Sequence, residues 1–338
     1  MIDSQPLSVP RPAATATMRA VVQHTYGSAD VLRVAQVPRP TPGDQEVLVR
    51  VHAAGLDRGT WHLMTGTPYA ARLVVGLRRP RNPVPGRDVA GTVAAVGSAV
   101  TKFAVGDEVF GIGPGSFAEY AVSQERKLAH KPEVLSFEQA AVVPISGLTA
   151  LQGLVDLGRV EAGQRVLVTG ASGGVGSYVV QLAASSGAHV TGVCSTTKLD
   201  LVRSLGAEHV IDYTRQDFAD GGHRYDLIVD IAGNPSLSQL RRALTPRGTA
   251  VLVGGEGAGR WTGMSRQLRA AAFSPFVTQR LALVVAKERG SDIERLRDLI
   301  VAGAVTPSLD RTFPLHEVPQ AMRRLAAGQV RGKVAIII

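Results

Sequence analysis

Apolar residues in the first 142 positions fall into short runs that glycine and proline interrupt. The stretches MRAVVQHTYG, VLRVAQVPRP, EVLVRVHAAGL and VAGTVAAVG alternate or run apolar over strand lengths, and TPGD and AVGDEV supply turns. This pattern predicts a β-rich, barrel-like domain over residues 18–142. The preceding residues 1–17 are predicted to form a disordered tail.

After residue 142 the pattern changes to alternating strands and helices. Strands are predicted at residues 165–169, 189–194, 209–212, 227–231 and 249–254. The run GSYVVQLAASSG has a helical period and ends at Gly187, and TTKLDLVRSLGA is a second helix that ends at Gly206. Such alternation predicts an α/β, doubly wound parallel sheet over residues 143–307, with its ligand crevice at the carboxyl ends of the strands. Because the closing RGKVAIII has strand character, residues 308–338 are expected to rejoin the first domain.

A glycine-rich turn joins the first of these strands to its helix. It reads Ala171, Ser172, Gly173, Gly174, Val175, Gly176, a variant of the dinucleotide-binding fingerprint. Glycine lets the backbone approach a pyrophosphate, and the following helix offers free N–H groups and partial positive charge. The alternative is a tight turn without a ligand, but a strand before it and a second strand about 20 residues later favour a cofactor.

The end of the second strand indicates which dinucleotide binds. NAD sites usually have an acid there, which would repel a 2′-phosphate. This chain has Cys194 instead, followed by the hydroxyls of Ser195 and Thr196 and the cation of Lys198. Lys198 alone would be interpreted as a solvated surface charge. With no acid nearby, the combination predicts NADPH.

Composition limits the cellular setting. The chain of 338 residues is 45% hydrophobic and 19% charged, as is ordinary for a globular protein. The sequence has no apolar run long enough to span a membrane, no secretory leader and only one cysteine. A cytoplasmic protein without membrane association is therefore expected.

The net charge of +9 has two interpretations: affinity for nucleic acid or membranes, or a general attraction for anionic small molecules. The arginines are scattered apart from a cluster at Arg72, Arg78, Arg79 and Arg81, and the sequence has no aromatic and basic RNA-binding motif. No nucleic-acid partner is therefore expected. The cluster is interpreted as a solvated loop, with an anion clamp as the alternative.

Five longer motifs occur in order along the chain: PGRDVAGTVAAVGSAVTKFAVGDEVFG, SGLTALQGL, VLVTGASGGVG, LGAEHVIDY and GQVRGKVAIII. Together they resemble the medium-chain dehydrogenase/reductase superfamily, in its zinc-independent quinone oxidoreductase-like branch. The resemblance covers residues 18–338. It implies a GroES-like β domain that the C-terminus closes, with a Rossmann domain between the two parts.

The resemblance also assigns residues to cofactor and metal positions. Zinc-dependent relatives have three metal ligands at the positions of Asp57, Arg87 and Ile145, and these side chains do not make a zinc site. No zinc is therefore expected. The residues that match the family's cofactor contacts outside the glycine turn are Thr149, Ser195, Lys198, Tyr213, Gly254 and Arg331.

Without zinc, hydride transfer from NADPH to an already electrophilic acceptor is the favoured chemistry, namely reduction of a quinone or an α,β-unsaturated carbonyl. The segment GLDRGTWHLMTGTPY supplies candidate proton donors, Asp57 and His62, and candidate pocket residues, Trp61 and Tyr69. Each has a structural alternative: Asp57 as a helix cap, His62 as a satisfied histidine, Trp61 as core.

Two other functions stay open. One is a carbonyl reductase or alcohol dehydrogenase of a biosynthetic pathway, and the other is a cofactor-bound binding or redox-sensing protein with little turnover. A homodimer is expected because family members commonly dimerise, and SPFVTQRLALVVAKERG supplies an apolar stretch.

Overall fold

The computed structural model describes residues 16–232, 235–254, 269–270 and 277–338. Residues 1–15 of the predicted tail lie outside this part of the chain. The tail prediction extends too far at its end, because Thr17 already belongs to the first strand, where it pairs with Pro38.

The N-terminal part of the chain forms a β-rich body together with the C-terminus. A seven-stranded sheet has the order β14-β15-β3-β4-β5-β7, with β6 also pairing with β3, and β1 and β2 form a separate antiparallel pair. The strands are β1 (Thr17–Val22), β2 (Arg33–Pro38), β3 (Glu46–Leu56), β4 (Asp88–Val96), β5 (Glu108–Ile112), β6 (Tyr120–Gln124), β7 (Leu128–His130), β14 (Leu309–Pro314) and β15 (Lys333–Ile337). The antiparallel pairing of β15 with β3 returns the C-terminus to this body.

The middle of the chain forms a six-stranded sheet whose strands are all parallel, in the order β10-β9-β8-β11-β12-β13. The strands are β8 (Arg165–Thr169), β9 (His189–Cys194), β10 (His209–Asp212), β11 (Tyr225–Asp230), β12 (Leu244–Leu252) and β13 (Arg280–Leu283). The first three have the predicted bounds. The next two begin earlier and end slightly earlier than predicted. Together with the β-rich body, this sheet confirms the predicted α/β fold class.

Helices pack against the parallel sheet and lie at the margin of the β-rich body. Within the described ranges, the helices of four residues or more are α1 (Arg58–Thr65), α2 (Arg72–Val75), α3 (Phe137–Ala141), α4 (Pro144–Leu151), α5 (Gly174–Ser185), α6 (Leu199–Ser204), α7 (Leu237–Ala243), α8 (Gly290–Val301) and α9 (Val318–Ala326), with a π-helical continuation of α4 over Gln152–Leu157. Gly187 follows the end of α5 with a φ of 78°, a left-handed conformation that ends the helix, as predicted.

One buried hydrophobic cluster spans the two bodies. Phe110 and Ala90 from the β-rich sheet belong to the same buried cluster as Val166 and Val168 of β8. The hydroxyl of Tyr178 on α5 is fully buried and donates to the carbonyl oxygen of Val142, 3.1 Å away. This packing leaves the carboxyl ends of the parallel strands facing the end of β3 and the start of α1 across a cavity.

Candidate active site

A cavity of about 970 Å³ opens between the two bodies. The wall from the parallel sheet consists of residues at or just beyond the carboxyl ends of four strands: Thr169, Cys194, Ile231 and Gly254. Parallel α/β sheets bind their ligands at this edge because the loops and helix N-termini converge there. The cavity therefore lies where the strand pattern predicted the crevice.

The glycine-rich turn forms the part of the wall below β8. Gly170 has a φ of 66°, and Gly173 precedes the first turn of α5 as its N-cap without a side chain to bond the free N–H groups. A Cβ on Gly176 would lie 2.1 Å from the carbonyl oxygen of Gly170, so only glycine fits there. Ser172, Gly173, Gly174 and Val175 line the cavity. The turn thus presents an uncapped helix N-terminus to an anionic ligand.

Beyond β9, the cavity wall carries cations and hydroxyls. Ser195, Lys198 and Tyr213, which were predicted to contact the cofactor, line the cavity together with Arg215. The ammonium of Lys198 donates to the carbonyl oxygens of Gly328 and Val330, at 3.0 and 2.8 Å. Burial lowers its pKa. Lys198 is therefore a half-buried group held at the wall rather than the solvated charge of the alternative interpretation.

An acid lies closer to this pocket than the sequence indicated. Asp212 pairs in register with Cys194 across β10 and β9, and its carboxylate accepts hydrogen bonds from the hydroxyls of Thr196 and Thr214. The Thr196 bond is the first cause that holds the pKa of Asp212 below its usual value. The Cys194 thiol is buried, and burial together with Asp212 raises its pKa to about 11. The expectation of no acid nearby is wrong because strand pairing, not chain proximity, brings the carboxylate here.

Of the remaining residues predicted to contact the cofactor, some line the cavity and others do not. Thr149 and Gly254 line the cavity, and the Thr149 hydroxyl donates to the carbonyl oxygen of Ile145. Ala171 is fully buried beneath the turn, where its N–H bonds the carbonyl oxygen of Val193. Thr196 and Arg331 are exposed and lie outside the cavity wall.

The candidate catalytic residues lie at the start and on one face of α1. Asp57 caps this helix: its Oδ1 accepts from the N–H of Thr60 at 2.6 Å and from the Thr60 hydroxyl at 3.0 Å. Its Oδ2 is buried at the cavity and has no hydrogen-bond partner among the described residues. His62 also lines the cavity, and its Nδ1 is 2.8 Å from the carbonyl oxygen of Thr67, which requires Nδ1 to donate.

The candidate pocket residues Trp61 and Tyr69 lie outside the cavity wall. Trp61 packs against the buried cluster of the β-rich body, with its ring edge-on to His62, and so fits the core interpretation. Tyr69 lies in a short turn beneath the guanidinium of Arg72, 4.7 Å from its ring centroid. The 3.6-residue period of α1 points His62 at the cavity and turns Trp61 away from it.

A buried charge cluster at the cavity floor was not predicted. Lys333, at the start of β15, is 1% exposed, and its ammonium lies 3.6 Å from Oδ2 of the fully buried Asp88 and 3.0 Å from the hydroxyl of Ser146. Burial and, to a smaller extent, the charge of Asp57 raise the pKa of Asp88 to about 7, against the opposing effect of Lys333. Gly174 lies against the Lys333 side chain, so the cluster adjoins the glycine-rich turn. The alternation RGKVAIII indicated a strand but not which charge it would bury.

The positions that hold zinc in zinc-dependent relatives serve other purposes here. Asp57 caps α1, Arg87 pairs with Glu288, and the N–H of Ile145 donates to Oδ1 of Asp88 at 2.9 Å. Among the residues that the structure describes, no group of three histidine, cysteine or acidic side chains is placed to hold a metal ion. One carboxylate, one guanidinium and one isoleucine are not a zinc donor set.

Comparisons with known proteins agree with this architecture. The model of the alcohol dehydrogenase GroES-like domain matches residues 43–133, and that of the zinc-binding dehydrogenase family matches residues 205–336. The chloroplast envelope quinone oxidoreductase homolog of Arabidopsis thaliana is 31% identical over 335 residues, which cover 94% of this chain and 98% of that protein.

The chain belongs to the medium-chain dehydrogenase/reductase superfamily, in its quinone oxidoreductase-like branch.

Two further relatives of this medium-chain dehydrogenase/reductase have informative names. The chloroplastic NADPH-dependent alkenal/one oxidoreductase of Arabidopsis thaliana is 34% identical over 338 residues, covering 94% of this chain and 79% of that protein. The solved quinone oxidoreductase from Coxiella burnetii is 28% identical, with a TM-score of 0.83 and coverage of 96% of this chain and 100% of that one. Within the described part of this chain, no helix combines the length and apolarity needed to cross a membrane.

Proposed function

We propose that this chain is a zinc-independent reductase that uses NADPH to reduce a quinone or an α,β-unsaturated carbonyl compound. The observation that carries the proposal is a single cavity that joins an uncapped helix N-terminus and the cations of Lys198 and Arg215 to the buried carboxylate of Asp57, with no zinc donor set among the residues that the structure describes. The names of the relatives support the same substrate classes and cofactor.

The residues that would hold NADPH follow from the chemistry of the wall. The backbone of Ser172, Gly173, Gly174 and Val175 would bind the pyrophosphate at the N-terminus of α5. On the adenosine side, Ser195, Lys198, Tyr213 and Arg215 would surround the 2′-phosphate. Thr149 and Gly254 would contact the nicotinamide side. NADPH supplies a hydride when it is bound.

Asp57 and His62 are the side chains of this protein that would orient or transfer a proton beside the acceptor. Because the Thr60 bonds fix Oδ1 of Asp57, Oδ2 keeps one orientation at the cavity, where it can accept a hydrogen bond from a proton-carrying group beside the acceptor. The Nδ1–H of His62 donates to the carbonyl oxygen of Thr67, which fixes the orientation of the imidazole ring at the cavity. An acceptor that is already electrophilic needs no metal for polarisation, which agrees with side chains at the zinc positions that do not form a zinc site.

Steady-state NADPH oxidation tests the proposed function. A 1,4-quinone or an enone should be reduced at a rate that a strong chelator does not change, and metal analysis should find no stoichiometric zinc. A product with a reduced C=C distinguishes this function from carbonyl reduction. Chelator-sensitive turnover, or no turnover with either acceptor class, would contradict the proposal.

The glycine-rich turn allows a matched pair of variants. A Cβ on Gly173 would come no closer than 3.3 Å to the Gly170 carbonyl oxygen, whereas one on Gly176 would come within 2.1 Å. Gly173→Ala is therefore expected to keep nearly the wild-type Tm but to weaken NADPH binding, because the methyl group faces the pyrophosphate position. Gly176→Ala should lower the Tm, as expected of overpacking that costs about 1–3 kcal/mol. Calorimetry and cofactor titration measure both; equal losses of Tm would contradict the assignment.

The domain division and assembly are proposals of the same kind. We propose that residues 18–142 and 308–338 form the GroES-like domain and that residues 143–307 form the Rossmann domain, with the predicted tail ending before Thr17. The location of β13 at the edge of the parallel sheet supports a homodimer, because strand edges invite pairing with another chain. Part of the apolar stretch expected at the interface, residues 274–276, lies outside the described residues. The single buried cysteine is compatible with a cytoplasmic location.

A further inference from the structure

Residues 58–87 carry charge of one sign. This stretch contains six arginines and neither aspartate nor glutamate. Three of them have local partners: Arg58 lies over Trp61, Arg72 over Tyr26, and Arg87 pairs with Glu288. The other three, Arg78, Arg79 and Arg81, are exposed and form no ion pair with any residue that the structure describes.

Exposed aliphatic side chains lie beside these arginines. Leu73 and Val74 on α2 are each 72% exposed, and Leu77 is 66% exposed. Burying such side chains is favourable wherever an apolar phase is available, so their exposure next to one another marks an interaction surface. We call the surface formed by residues 72–81 the basic-aliphatic loop.

The basic-aliphatic loop is held in shape by the body of the protein. The N–H of Arg81 donates to the carbonyl oxygen of Val75 at 2.9 Å, which closes a loop with Leu77, Arg78 and Arg79 at its tip. Gly76 has a φ of 127°, and a Cβ there would lie 2.0 Å from the Arg79 carbonyl oxygen. The loop therefore projects its aliphatic and cationic groups in a preformed arrangement.

A concave site lies directly behind the tip of the loop. A second cavity, of about 750 Å³, is lined by Arg78, Arg79 and Arg81 together with His24 and Gln23. Guanidinium groups in such a recess match the charge and hydrogen-bonding geometry of a phosphate group. Cationic groups around a recess, flanked by protruding aliphatic side chains, are what a phosphate headgroup with acyl chains beside it requires.

We propose that the basic-aliphatic loop docks this protein on an anionic phospholipid surface, with the arginine-lined cavity taking a headgroup phosphate and Leu73, Val74 and Leu77 entering the acyl boundary. Nucleic acid would use the arginines but would gain nothing from the aliphatic tip. This proposal departs from the expectation of no membrane association, which rested on the absence of a spanning segment, because docking on a lipid surface needs no such segment.

Two hydrogen bonds connect the basic-aliphatic loop to the wall of the active-site cavity. Nε of Arg72 donates to the carbonyl oxygen of Gly66, the residue that ends α1, and the N–H of Gly66 bonds the carbonyl oxygen of His62 in the cavity wall. Docking through this loop would bring α1 close to the lipid. Apolar acceptors dissolved in the bilayer would then lie near the cavity, a consequence that rests on the proposed function.

The test is cosedimentation of the full chain with phosphatidylcholine vesicles, with and without phosphatidylglycerol, in the absence of cofactor and acceptor. The outcome therefore does not depend on any reductase activity. Binding is expected only to the anionic vesicles. The variant Arg78→Gln/Arg79→Gln/Arg81→Gln should reduce the partition coefficient about a hundredfold, at roughly fivefold per arginine. Leu73→Ser/Leu77→Ser should reduce it at unchanged net charge.

The matched control is Arg33→Gln/Arg224→Gln/Arg247→Gln, which removes the same charge from exposed positions elsewhere. It should retain most of the binding, and all variants should keep the wild-type Tm because the substituted side chains are exposed. Three results would overturn the proposal. The first is no binding of the wild type to anionic vesicles, and the second is an equal loss of vesicle binding in the loop and control variants. The third is a loss of vesicle binding in the loop arginine variant but not in Leu73→Ser/Leu77→Ser, together with wild-type binding to duplex DNA as strong as its binding to vesicles. A dimer that Leu73→Ser/Leu77→Ser dissociates would identify a second copy as the occupant instead.

Discussion

Between pH 5 and pH 8, the free energy of unfolding of Asp88→Asn is expected to gain about 2–3 kcal/mol relative to that of the wild type. The cause is the carboxyl of Asp88, which is buried beside Lys333. The pKa of this carboxyl is raised from 3.8 to about 7 in the folded protein. Asparagine keeps the acceptor for the Ile145 N–H and has the shape of the protonated acid, but it does not titrate.

The direction follows from proton uptake on folding. The folded state holds the Asp88 proton up to about pH 7, whereas the unfolded chain releases it near 3.8. The stability that this proton contributes is fully present below the unfolded pKa, declines as the pH rises, and is lost once the pH passes the folded pKa. The wild type therefore loses stability over this range relative to a variant that cannot titrate.

Urea unfolding at several pH values measures the effect. Asp200→Asn is the control, since the side chain of Asp200 is 95% exposed and its curve should run parallel to that of the wild type. In Lys333→Met the carboxyl loses the cation that lowers its pKa, so the decline should extend above pH 8. Parallel curves for wild type and Asp88→Asn would show that Asp88 is ionised throughout.

Lys198→Ala and Arg215→Ala are each expected to lower the ratio of kcat/KM for NADPH over NADH about tenfold or more. Each variant removes one charge-assisted contact to the 2′-phosphate, worth roughly 1.5–3 kcal/mol, and NADH has no group there to lose. Because Lys198 also bonds the carbonyl oxygens of Gly328 and Val330, the NADH values report any loss that does not depend on the phosphate.

Arg203→Ala is the matched control for the cofactor ratio. Arg203 is an exposed arginine on α6 that pairs with Asp200 and lies outside the cavity wall, so the ratio should stay at the wild-type value. Preference of the wild type for NADH, or an unchanged ratio in both pocket variants, would show that the phosphate pocket is assigned to the wrong side chains.

The sequence alone determined the features that depend on neighbours along the chain. The bounds of β8, β9 and β10 follow from apolar runs of strand length, and the turn after β8 follows from glycine spacing that only a tight strand-to-helix connection requires. The C-terminal strand could likewise be predicted from local residue type, whereas the altered zinc positions followed only from the resemblance to the family.

Only the tertiary structure decided which distant charges meet. Parallel pairing in register brings Asp212 beside Cys194, and antiparallel pairing of β15 with β3 carries Lys333 to the buried Asp88. Gly332, with a φ of 91°, turns the chain just before β15, so that Lys333 lines the cavity while Arg331 stays exposed. Residue type and local periodicity contain no information on such contacts, because strand register and the desolvation of a charge depend on the packing of segments far apart in the chain.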